Sequence, residues 1–70
     1  MQRLAEDPIA QARRHIAEAR QHIARQERLV ARLSSDGRHV ALAAEAQEIL
    51  DTLKHTLSLA QRHLELELKK

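Results

Sequence analysis

Two seven-residue repeats of apolar side chains run along this chain and meet across its single Gly, Gly37. In the first, the a-type positions are Ile9, Ile16, Ile23 and Val30, and the d-type positions are Ala12, Ala19, Gln26 and Leu33. In the second, Ala43, Leu50, Leu57 and Leu64 stand at a, with Ala46, Leu53 and Ala60 at d. Spacing of this kind lays one apolar stripe along an α-helix. Folding the chain back at Gly37 brings the stripes into phase: Ile9 meets Leu64, Ile16 meets Leu57, Ile23 meets Leu50 and Val30 meets Ala43. The d positions pair likewise, as Ala12 with Ala60, Ala19 with Leu53 and Gln26 with Ala46. Unrelated repeats would have no reason to agree in phase, so the predicted fold is all-α, an antiparallel two-helix hairpin of coiled-coil type. Gln26 interrupts the stripe, and a polar residue there is expected to fix register at some cost in stability.

The boundaries follow from local chemistry. Asp7 before Pro8 is a helix start, because the carboxylate accepts from free amides of the first turn and Pro lacks an amide where none is needed. Good helix formers then run without Gly or Pro to Leu33. Ser34, Ser35, Asp36 and Gly37 favour a turn, with Gly able to take the left-handed conformation that closes a helix. The expected layout is one domain over residues 1–70: a helix at about 8–34, a turn at 35–38 and a helix at about 39–67. Residues 1–6 are expected to be frayed or weakly helical. The second helix lacks a good cap, since neither Arg38 nor His39 is a favoured N-cap residue, and Asp36 is the alternative.

A chain of 70 residues buries only about 60% of the surface of its unfolded form, so its core is marginal. It has no Cys to staple it and no Phe, Tyr or Trp to fill it. Oligomerisation is the remaining way to enlarge the core. The flanks of the seam suggest where. On the e side Arg13 would face Gln61, Arg20 would face Lys54, and Glu27 would face Gln47, a polar and partly cationic edge. On the g side Leu29 would face Leu42, His22 would face Ile49, and His15 would face Thr56, continued by Leu59 and Leu66. An apolar stripe wider than a two-stranded seam needs is expected of a helix with more than one neighbour. The predicted interface is therefore His15, His22, Leu29, Leu42, Ile49, Leu59 and Leu66, closing a homodimeric four-helix bundle. A helix from a partner protein is the alternative occupant.

Little in the chain suggests catalysis or a cofactor. There is no Cys nucleophile and no Gly-rich phosphate loop, and Ser34 and Ser35 are explained by the turn. Five His is a high count, but none are spaced four apart as a helical metal site requires. His15 and His22 are two turns apart, roughly 10 Å. His63 and His15 do not match in height in the register above. No enzyme activity, metal or cofactor is expected. The absence of an 18-residue apolar run and of a signal-like start predicts no membrane association and a cytoplasmic protein.

Charge is uneven. Residues 1–38 carry eight Arg and five acids, whereas residues 39–70 carry four bases and five acids. Arg13, Arg20, Arg28 and Arg32 decorate the first helix and could follow a phosphate backbone. The absence of aromatics to stack on bases, and the interruptions at Glu18 and Glu27, weigh against nucleic acid. Ala10, Ala17, Ala24 and Ala31 also recur every seven residues, a row that helix propensity accounts for and that could instead permit close approach of another backbone.

The run from His15 to Leu68 resembles a group of short uncharacterised alphaproteobacterial proteins. The matching features are Ile23, Arg25 and Gln26 with Leu29 after them, the Asp36 and Gly37 turn, and Thr56, Leu57, Leu59, His63 and Leu64. Such proteins often carry Asp or Thr soon after the turn Gly, where this chain has His39 and Val40. The resemblance implies a bacterial cytoplasmic hairpin and supplies no activity. Together these readings predict a non-catalytic protein-interaction or regulatory module, with a small basic dimeric nucleic-acid-binding regulator as the alternative.

Overall fold

A computed structural model describes residues 7–70; the expectation for residues 1–6 lies outside this range. Two helices, α1 (Pro8–Ser35) and α2 (Val40–Leu68), pack against each other as a hairpin. The Asp7 Oδ1 accepts from the Ile9 amide at 3.0 Å, and Pro8 opens the helix, as the sequence required. At the other end of α1 the Ser35 hydroxyl donates to the Arg32 carbonyl, one of those the last turn leaves without a helical partner.

Gly37 reverses the chain with φ +70, the left-handed region that residues with a Cβ enter at a cost. Asp36 does not cap α2. Its Oδ1 accepts from the Arg38 amide at 3.0 Å, closing a local turn inside the loop. The N-cap of α2 is His39, which makes no side-chain cap bond, so the first turn of α2 starts without a carboxylate or hydroxyl to take up its free amides.

The stripe read from the heptads is the inside of the hairpin. Ala12, Ile16, Ala46 and Leu50 are buried, and every other a and d residue named above is at least half covered. Glu67, the d position that follows Ala60, extends the seam into the last turn of α2. Its side chain is only 13% exposed, and its Oε2 lies 3.0 Å from Lys70 Nζ and 3.8 Å from His63 Nε2.

Ala12, His15 and Ala19 share a groove with Thr56, Leu59, Ala60 and His63, so the stretches that the heptad pairing sets side by side lie together. The polar flank departs from the expected pairs. Lys54 bridges to Glu27 at 4.0 Å, seven residues along α1 from the Arg20 it was expected to face, and Gln47 donates to Asp51 on its own helix.

Gln26 does reach Ala46, but through the backbone: its Nε2 donates to the Ala46 carbonyl at 2.9 Å. That carbonyl lies within α2 and points along the helix toward Leu50, where the helix's own amide ladder already engages it. The bond uses a spare lone pair, and its removal orphans nothing on α2. Gln26→Leu is therefore expected to stabilise the hairpin by about 1 kcal/mol, raising Tm by several degrees in a thermal melt. A drop in Tm would mean the amide bond outweighs the added apolar burial. At the start of α2, His39→Ser supplies the missing cap and should add about 1 kcal/mol, read from urea unfolding at constant m.

Candidate protein-interaction flanks

The hairpin is one helix thick. It measures 13 Å in its thinnest direction, little more than a helix with its side chains, so both of its broad faces are outer surfaces. Sequence decides how those faces differ, because the e rows point to one and the g and c rows to the other.

On the g and c face stand the large aliphatics of α2. Leu42 is 52% exposed, Ile49 53%, Leu59 55% and Leu66 55%. They form one line on the helix, at spacings of seven or ten residues, filled in by Glu45, Thr52, Thr56 and His63. His15 and His22 of α1 flank the line and are exposed, while Leu29 is half covered within the hairpin itself. All seven predicted interface residues thus border one face. The groove shared by Ala12, Ala19, Ala60 and their neighbours, about 350 Å³, opens on this side and has an almost wholly apolar lining apart from His15, His63 and Thr56. His15 and His63 both line this groove. No third ligand joins them: among the described residues no three His, Cys, Asp or Glu side chains are grouped to hold a metal ion. His22 Nδ1 lies 3.4 Å from the Arg25 guanidinium, one helical turn on. Val40 and Leu68, at 73% and 53% exposure, lie at the two ends of α2, where few neighbours are within reach.

On the e face the four predicted phosphate-binding Arg do not form one surface. Arg13 and Arg20 line a second, wider groove of about 860 Å³ over Ile16, Ala17 and Leu64, and there they are joined by Arg62 and Glu65 from α2. Arg28 lies on the outer edge of α1, and Arg32 on the opposite, g and c side. The contribution of Arg62 was missed because the α1 Arg residues were read as a row along one helix; the groove is built across both. The Ala row of α1 explains its width, since Ala17 forms part of its wall where a longer side chain would fill it.

Among the described residues no helix is long and apolar enough to cross a membrane. Compared with known proteins, the chain matches no family model, no curated protein and no solved structure.

Proposed function

We propose that this chain is a non-catalytic, self-associating helical hairpin, a protein-interaction or regulatory module that works as a homodimeric four-helix bundle. The observation that carries the reading is the single layer. Domains gain stability by packing two layers around one core, and this hairpin has one layer with four buried residues, two of them Ala. A second copy of the chain would supply the second layer. The g and c face of α2 is the side to receive it, because Leu42, Ile49, Leu59 and Leu66 form a line without Lys or Arg, whereas the e face gathers Arg13, Arg20, Lys54 and Arg62. Two copies meeting through the e face would set cations against cations.

Sedimentation equilibrium tests this. The chain of 8.0 kDa should sediment at twice its mass, and Ile49→Glu should abolish the dimer by burying a carboxylate in an apolar interface. Gln61→Glu, on the opposite flank, should leave it intact. A wild-type monomer, or a dimer indifferent to Ile49→Glu, refutes the reading.

A second reading, nucleic-acid binding, is supported by the e-face groove, where Arg13, Arg20 and Arg62 converge from both helices. It is compatible with dimerisation, since it uses the other face. Retention on an immobilised RNA or DNA column should then fall steeply with salt, and the Arg13→Gln, Arg20→Gln double variant should lower both retention and salt slope. Equal retention of the double variant would eliminate the groove as a phosphate site.

A further inference from the structure

The exposed row of α2 reads nearly the same in both directions. About a midpoint at Lys54, Leu42 mirrors Leu66, Ile49 mirrors Leu59, Thr52 mirrors Thr56, and Glu45 mirrors His63. On the corresponding row of α1, Glu18 and Arg25 stand four residues before and three after His22, and His15 and Leu29 stand seven to either side of it. The two centres lie on neighbouring stretches of the hairpin: the groove that joins Ala12, His15 and Ala19 to Thr56, Leu59, Ala60 and His63 ends, toward the loop, within one turn of His22 on α1 and of Lys54 on α2.

A two-fold interface joins the same patch on both molecules, so residue i meets j while j meets i. The mirrored row of α2 satisfies that condition along its length. We propose that the two hairpins stack antiparallel, turns at opposite ends, about a two-fold axis that lies between them, perpendicular to the helices, and passes the level of His22 and Lys54. This rests on the self-association proposed above and specifies its geometry. In this arrangement Leu42 meets Leu66 of the second copy, Ile49 meets Leu59, and the Thr52 and Thr56 pairs straddle the axis. Glu18 meets Arg25 of the second copy twice, an attraction of opposite charges at the rim, and Glu45 approaches His63.

The competing stack keeps both turns at one end, with the axis along the bundle. It lays α1 on α2 of the second copy at equal level, which sets Glu18 against Leu59 and Gln11 against Leu66. A carboxylate among leucines is disfavoured where the antiparallel stack offers it Arg25. The contact area also suits a second copy. From Leu42 to Leu66 the row extends roughly 36 Å, and two helices of about 10 Å width give a footprint on the order of the ~800 Å² per partner of a stable interface.

The full chain has no Cys, so a spin label placed by Arg38→Cys in the turn reports the stacking without background. Arg38 is 82% exposed in its side chain and sits outside both helices. Turns at opposite ends predict a label-to-label distance of about 50 Å in the dimer, whereas turns at one end predict about 20 Å. As an independent arm, Glu18→Arg and Arg25→Glu should each weaken the dimer about ten-fold, and the double variant should recover wild-type affinity, because the reversed charges again face each other across the axis. Residues 18 and 25 stand two turns apart on α1, out of reach of each other within one chain, so recovery reports contact between copies. A dimer with the short distance, or a double variant no tighter than the singles, overturns the antiparallel geometry and leaves self-association standing. A chain that sediments as a monomer overturns both.

Discussion

The structure depends on one seam along which Ile, Leu and Val are interspersed with Ala on both helices. Without an aromatic ring or a disulfide, the approach of the helices rests on these aliphatic side chains and on the bond from Gln26 to the Ala46 carbonyl. The same choice limits the core. Ala contributes close packing but little apolar area, so the interior remains thin, with Ala12, Ile16, Ala46 and Leu50 as its buried residues. A seam built for close approach leaves the breadth of each helix uncovered, and the outward rows then determine what the molecule can do.

Those rows are differentiated by simple means. One side of the seam carries Arg13, Arg20 and Arg62, with Glu65, around a wide groove that Ile16 and Leu64 help to line. The other side carries Leu, Ile and Thr of α2 in a line with Glu45 and His63. The hairpin is thus two-sided in chemistry as well as shape.

Much of the fold was legible in the order of residues. The phase match across Gly37 located the inside of both helices, and Asp7 with Pro8 located the start of α1, because periodicity and capping are local properties. The polar flanks were less legible. Matching like heptad letters set Lys54 against Arg20, whereas its long side chain reaches Glu27, and His15 and His63 line one groove although their heptad positions were not paired. Asp36 was a plausible cap by type, but its carboxylate is taken by the Arg38 amide within the loop. Arg62 was missed since a groove assembled from two helices leaves no periodic signature on either. Glu67 was passed over as a charge, although its long stem lets it cover the end of the seam while its carboxylate reaches Lys70.

The loop has a role separate from all of this. Beyond its two chain neighbours, no atom lies within 4 Å of a Cβ placed on Gly37, so the tip of the turn faces open space. Lengthening such a link costs only about 0.6 kcal/mol for each doubling. Extra residues, or an entire guest domain, could be spliced between Ser35 and Val40 and carried at the tip of the hairpin while both helices keep their mutual grip.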